Sequence, residues 1–304
     1  MKCSFWGQTD PGLLRTSNQD AFVLGDEHKY PFFVVADGMG GHAGGEEASQ
    51  LASATMKQVL TSAWETGQSS QEMLYKAVLA ANDAILSDQL SHPERADMGT
   101  TLVSTIYRNG QWWFAHVGDS RLYRIRDRKI EQITEDHTWV ARAVKMGDLT
   151  QEQARSHPWR HVLMQCLGRE ECQQIDIHAM DVRQGDWLLL CSDGLTEELT
   201  DLAISDCLKA ASGLEDAVDR LVEGAKAKGG RDNITVILVS VDELSQEEIN
   251  TTPEPEPLRV EDVLAGEVET VGSDAVNDNS LTGELSDTSS ESLSPYGEGV
   301  ELVE

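Results

Sequence analysis

Between Ser4 and Val241, short runs of β-branched and aromatic residues alternate with stretches of helical periodicity, and Gly, Asp or Asn marks most boundaries. Residues 32–36, 101–107, 112–117, 121–125, 187–191 and 234–239 read as strands. Several, such as FFVVA and WLLLC, place no polar residue at alternate positions, so neither face is expected to meet water and the strands should lie between layers. Residues 46–66 and 71–90 read as amphipathic helices, the second with Leu74, Ala77, Val78, Ala81 and Ile85 at helical spacing. RNGQ (108–111) and RDRK (126–129) fall between β-type runs and predict hairpin turns, which makes neighbouring strands antiparallel and disfavours a doubly wound parallel sheet. Residues 138–167 interrupt the β pattern with two short helical pieces around Met146-Gly147 and a Pro158-Trp159-Arg160-His161 loop, the mark of a flap inserted into the domain.

Composition changes the picture at one end. The chain of 304 residues carries a formal charge of -29. Residues 243–304 hold 17 Asp and Glu against Arg259 alone, which leaves -13 for residues 1–242. That segment has Tyr296 as its one aromatic residue and cannot bury enough apolar area to offset chain entropy, so 243–304 is expected to be a disordered acidic tail and 1–242 the folded domain. Such acidity excludes a nucleic-acid partner, whose phosphates would repel the chain. Apolar runs are too short to span a bilayer and no apolar segment follows Lys2, so a cytoplasmic chain without a membrane partner is expected. A monomer is the expected state. Cys3, Cys166, Cys172, Cys191 and Cys207 are odd in number and include no C-x-x-C pair, against a disulfide framework or a zinc ribbon and in favour of a reducing compartment.

Four apolar runs lead into an aspartate: FVVADG at Asp37, AHVGDSR at Asp119, LLLCSDG at Asp193 and GGRDN at Asp232. One Asp-Gly after a strand is an ordinary turn. Four of them, brought together at strand ends, would repel one another unless protonated or bridged by cations, and oxygen donors with few nitrogen or sulfur partners favour Mg²⁺ or Mn²⁺. Two such ions can lower the pKa of a shared water and stabilise both the attacking and the leaving oxygen of a phosphoryl centre. Near the N-terminus, Arg15 offers a planar fork suited to phosphate oxygens and Asp20 a carboxylate able to orient water at the metals.

Taken in order, R-x-x-N-Q-D (15–20), VADGMGGHAGGEEAS (35–49), DMGTT (97–101), AHVGDSR (115–121), DHT (136–138), LLLCSDGLTE (188–197) and GGRDNITV (229–236) resemble the motifs of the protein phosphatase 2C family. The bacterial branch fits best, and the wording over 136–168 is similar to cyanobacterial members, a group that includes a phosphatase of the nitrogen-signalling protein P-II. The resemblance implies an α+β fold: a four-layer α-β-β-α sandwich of two antiparallel sheets with helices outside and the metals in a channel at one end. It implies hydrolysis of phosphoserine and phosphothreonine by direct attack of a metal-bridging hydroxide, with phosphorylated proteins as substrates, among them a P-II-like protein or targets of bacterial serine/threonine kinases. Carried over by motif, Asp37 and the Gly38 carbonyl bridge and hold two main ions with Asp193 and Asp232. Asp119 and Asp193 hold a weaker third ion, Arg15 grips the phosphate, and Asp20 binds water at the metals.

Two positions depart from the eukaryotic pattern. Gln19 stands where those members carry Glu, and Met39 where they carry the histidine assigned as general acid. His42 is the nearest substitute as proton donor or substrate contact, and a metal-bound water is the alternative donor. A cysteine-nucleophile phosphatase is excluded, since no cysteine begins C-x-x-x-x-x-R, and a P-loop enzyme lacks its G-x-x-x-x-G-K-[ST]. A phosphoprotein-binding pseudophosphatase is the rival reading, and it should have lost a metal aspartate.

Overall fold

A computed structural model of the chain describes residues 1–244 other than 27–28 and 171–173, and the side chains of residues 42 and 43 also lie outside the description. The disorder expected beyond residue 242 therefore falls almost wholly outside the described residues.

Strands that are apolar at every position need cover on both faces, and the fold supplies it. One sheet runs β1 (Lys2–Asp10), β11 (Ile234–Glu243), β10 (Trp187–Cys191), β7 (Arg121–Arg126), β8 (Lys129–Gln132). The other runs β2 (Asp20–Leu24), β3 (Phe32–Met39), β5 (Leu102–Arg108), β6 (Gln111–Val117), β9 (Asp176–Met180), with the short β4 (Gly99–Thr100) on the end of β3. Every pairing is antiparallel. Side chains alternate between two apolar destinations. From β3, Phe33 and Val35 enter the layer between the sheets with Leu188, Leu190, Ile237 and Val239. Phe32, Val34 and Ala36 face α1 (Gly41–Ala63) and α2 (Ser70–Ser91). Val236 and Leu238 of β11 face α6 (Asp201–Ala210) and α7 (Leu214–Lys228) in the same way. The result is the expected α-β-β-α sandwich.

Both predicted hairpins form. Arg108 pairs with Gln111 across Asn109-Gly110, and Arg126 with Lys129 across Asp127-Arg128. All four loop residues have positive φ, as two-residue turns matched to strand twist require. α2 begins at a capping box in which Ser69 accepts from the Glu72 amide and Glu72 accepts from the Ser69 amide. α1 starts at Gly41, five residues before the expected Glu46, because tertiary packing overrides the poor helix propensity of the glycines: Gly44 packs tightly on Met98, and a Cβ at Gly45 would lie 2.6 Å from Gln19 Nε2 and 2.8 Å from the Gly38 carbonyl oxygen. The flap holds α3 (Trp139–Met146) and α4 (Gln151–Arg155). Thr138 caps the first, which stops at Gly147 (φ 84°), and a Thr150-Gln153 capping box starts the second. Trp139 stacks on His157 and meets Trp159 edge-on, each at 5.0 Å between centroids. Among the described residues, no helix is long and apolar enough to cross a membrane.

Candidate active site

Register brings the first two carboxylates together. Asp20 opens β2 directly opposite Asp37 of β3, which places Asp37 inside a strand and not at its end as the sequence pattern suggested. The Asp37 main chain is pinned by two threonines: its N–H donates to Thr101 Oγ1 at 3.1 Å, and its carbonyl accepts from Thr101 N at 2.8 Å and Thr100 Oγ1 at 2.9 Å. Gly38 must be glycine, since a Cβ there would lie 1.9 Å from the Gly45 carbonyl oxygen. Asp119 follows β6 through Gly118, whose φ of +109° and closeness to Thr101 bar any side chain. Asp193 starts α5 (Asp193–Thr196) straight out of β10, and its carbonyl accepts from Glu197 N at 2.8 Å. Asp232 stands two residues ahead of β11.

The electrostatics of the carboxylates follow from this convergence. Burial, then the charges of Asp20, Asp193, Asp119 and Asp232, raises Asp37 well above the usual carboxylate range. Burial and Asp193 do the same to Asp119. Asp20 is pushed up to about 7, burial outweighing hydrogen bonds from Thr235 and Ser192, and Asp193 to about 7 by burial with Glu197 and Asp232. Such massed carboxylates call for cations, and the protein supplies one beside them: Arg15 Nη2 donates to Asp232 Oδ2 at 2.6 Å. Arg121, a second guanidinium nearby, is committed to Asp136 through a fork with Nη2–Oδ2 at 2.6 Å. Asp20 Oδ1 and Asp193 Oδ1 are buried without a hydrogen-bond partner among the described residues. Hard oxygen donors, two of them orphaned, in a net-negative cage fit divalent Mg²⁺ or Mn²⁺.

The structure thus gathers Asp20, Asp37, Asp119, Asp193 and Asp232 and sets Arg15 at their rim. The side chain of His42, at the start of α1, lies outside the described residues. Several supporting residues were assigned no role from the sequence. Ser192 and Thr235 hydroxyls donate to Asp20 Oδ2 at 2.7 and 2.6 Å and leave its other oxygen free. Asn233 accepts from Gln19 N and donates to the carbonyls of Pro11 and Ser17, and so shapes the loop that carries Arg15. Ser192 and Asn233 sit beside aspartates in motifs already singled out, and that adjacency was the available signal.

On the flap side, a cleft of about 980 Å³ runs from Asp119 and Asp193 outward past Glu197 and Arg231 to Lys145 and Arg155. His161 closes onto it with Nδ1 2.7 Å from Glu197 Oε1. Arg15 and Asp232 both act on the His161 ring, which burial and Arg160 hold below the ordinary histidine pKa. Trp159 points outward, 55% exposed.

Comparison with known proteins agrees with this geometry. The family pattern described as protein phosphatase 2C matches residues 15–238. The serine/threonine phosphatase stp of Listeria welshimeri is 36% identical over 239 residues, 76% of this chain and 93% of that protein. The crystal structure of the Mycobacterium tuberculosis serine/threonine phosphatase PstP/Ppp superimposes with a TM-score of 0.74 at 36% identity, covering 80% of this chain and all of that one. The catalytic domain of PstP in complex with two manganese ions gives a TM-score of 0.71 at 34% identity over 79% of this chain and 99% of that one.

Proposed function

The chain belongs to the protein phosphatase 2C family and is a metal-dependent serine/threonine protein phosphatase using Mn²⁺ or Mg²⁺, and from that premise we propose how its own residues divide the work. Asp37, the Gly38 carbonyl, Asp193 and Asp232 hold the two main ions, and Asp119 joins Asp193 around a weaker third. The observation that carries this reading is the convergence of Asp37, Asp119 and Asp193, where burial and the charges of neighbouring carboxylates hold each pKa above the usual range. When bound, the ions make water a stronger nucleophile and spread the charge of the phosphoryl oxygens.

The remaining steps belong to side chains. Arg15, 49% exposed, is free to turn its fork from Asp232 to the incoming phosphate. Asp20, with one oxygen saturated by hydroxyls and the other orphaned, is built to accept a proton from a water and aim it. His42 is kept as the candidate that protonates the departing serine or threonine oxygen. Its test is His42→Asn against aryl phosphates of graded leaving-group pKa, and equal losses across the series would remove it from that role.

The enzyme acts on phosphorylated proteins, and we infer that its substrates are targets of bacterial serine/threonine kinases, a P-II-like protein being one to assay directly. A phosphoproteome compared with and without the enzyme would decide. The free thiols of Cys166, Cys191 and Cys207 favour the cytoplasm, and the exposed Trp6, Leu90 and Leu202 on separate elements favour a monomer. Cell fractionation and light scattering test these two points. For the activity itself, purified protein should hydrolyse p-nitrophenyl phosphate and phosphothreonine peptides with Mn²⁺ and stop with chelator. Turnover that survives chelation or Asp193→Ala would overturn the proposal and leave the pseudophosphatase or another chemistry in its place.

A further inference from the structure

His137 is buried at the root of the flap, 6% exposed, and joins three parts of the molecule. Its ring Nδ1 accepts from the Gly118 N–H at 3.2 Å, and its main-chain N–H donates to the Gly118 carbonyl at 2.7 Å, so the turn that delivers Asp119 is gripped through both of its polar groups. Its carbonyl accepts from Met164 N at 2.7 Å, where the flap returns, and the adjacent Thr138 bridges Leu163. Its ring Nε2 lies 3.0 Å from Asp176 Oδ2 on β9.

These contacts set the state of the ring. The Gly118 N–H can only donate, so Nδ1 accepts and the proton of the neutral ring sits on Nε2, directed at Asp176. His116 packs 4.7 Å away, centroid to centroid, with no partner at hydrogen-bond geometry for either nitrogen among the described residues. Burial and then His137 push its pKa down to about 3, against weaker pulls from Asp176 and the Ser120 main chain. The ligand atoms of His116, His137 and Asp176 lie within 4.8 Å of one another, a donor set worth weighing as a metal centre. A metal on His137 Nε2 would require the proton on Nδ1, yet Nδ1 faces a donor. Ligating histidines present their second N–H to an acceptor. The trio is therefore a hydrogen-bonded brace with a neutral histidine packed beside it.

We propose that His137 is a positioning residue: through Asp176, His137 and Gly118 in series it fixes the Asp119 carboxylate and so sets how tightly the weak third ion is held. The proposal rests on the reading of Asp119 as a ligand of that ion. Hydrogen bonds to the two ring nitrogens separate by substitution. His137→Asn keeps an oxygen near the place of Nδ1, able to accept from Gly118. His137→Gln places its amide near Nε2, reaching Asp176 while leaving the Gly118 N–H without an acceptor. His137→Leu keeps neither.

The test titrates full-length, metal-stripped protein with Mn²⁺ in a calorimeter. His137→Leu and His137→Gln should weaken the weak binding event about fivefold, the size expected for one lost hydrogen bond. The tight events should move less than twofold, and His137→Asn should restore most of the weak one. Should His137→Leu fail to fold, the partly exposed Asp176→Asn should weaken the same event alone, by roughly twofold. A weak event unmoved in the His137 and Asp176 variants, but lost in Asp119→Asn, overturns the positioning role. A weak event that survives Asp119→Asn overturns the ligand assignment and the proposal with it. Equal loss at every site, with no rescue by asparagine, would mean a general structural role and also defeats it.

Discussion

Removing the metals should leave a protein that loses stability as pH rises through neutrality. In the metal-free chain Asp20 and Asp193 titrate at about 7, with burial the largest cause for each. An unfolded aspartate titrates near 3.9, so between the two values the folded chain binds more protons than the unfolded one. The stability from each raised group is fully present below the unfolded pKa and disappears as pH climbs past the folded one. A shift of about three units corresponds to ~4 kcal/mol. Asp20 and Asp193 feel the same field and a proton on one relieves the other, so ~4 kcal/mol serves for the pair. For a domain of this size that is roughly 8–16 °C in melting temperature.

His116 works in the opposite direction. Held neutral with a pKa of about 3, it adds stability as pH rises toward its unfolded value and masks part of the loss below about 6.5. It is the same with and without metal, so the gain in melting temperature on adding Mn²⁺ isolates the aspartates. Scanning fluorimetry from pH 5 to 8, in chelator and in saturating Mn²⁺, should show that gain growing by roughly 5–11 °C, since pH 5 lies only two units below the folded pKa. At pH 5, two units below a pKa of about 7, the coupled pair must first give up its proton at ~2.7 kcal/mol, and at pH 8 it no longer does. A gain that stays flat or shrinks across this interval would refute the clustering of ionisable ligands on which the site is built.

Arg15→Ala removes a charged donor to the phosphate and should lower kcat/KM for p-nitrophenyl phosphate roughly 10- to 100-fold with Mn²⁺ saturating, measured by steady-state kinetics. Replacing Arg160 and His161 together by Ala should change phosphoprotein rates more than small-ester rates, because both sit at Glu197 on the cleft wall. Equal effects on the two substrates would deny the flap a part in recognition. Ser69→Ala breaks the capping box of α2 and should cost about 1 kcal/mol, or 2–4 °C, without altering the Mn²⁺ dependence. Truncation after Leu244 keeps all of β11 and should leave melting temperature and small-ester turnover unchanged.

Legibility followed the physics of each element. The central strands were readable because both of their faces are covered: Leu188 to Cys191 shows four buried apolar residues in a row, a pattern a half-exposed strand would not have. β1 and β2 went unread because they are edge strands whose mixed, part-exposed residues resemble loops. The boundaries of α2 and the flap helices were accessible through their caps, whereas α1 begins among glycines that only the neighbouring loop makes helical. At the site, the aspartates announced themselves as strand-to-acid junctions. The hydroxyls that tune Asp20 did not, since Ser192 and Thr235 lie 172 and 215 positions away in sequence. Their role depends on strands from two sheets meeting at one end, which a local pattern does not encode.

The flap shows why such distant contacts matter to function. Its first residue follows His137, which holds the Gly118-Asp119 turn through ring and main chain. Its last, Leu167, pairs with Thr100, whose hydroxyl in turn donates to the Asp37 carbonyl. Both roots of the flap are thus linked through hydrogen bonds to main chain that carries a site carboxylate, Asp119 through Gly118 and Asp37 through Thr100. Glu197, one turn beyond Asp193, meets the flap again through His161. A phosphoprotein that displaces the flap therefore loads the same main-chain segments that orient Asp37, Asp119 and Asp193. Substrate contact and ion affinity share covalent and hydrogen-bonded supports, so variants in one should register in the other even where the changed side chain touches neither ion nor phosphate.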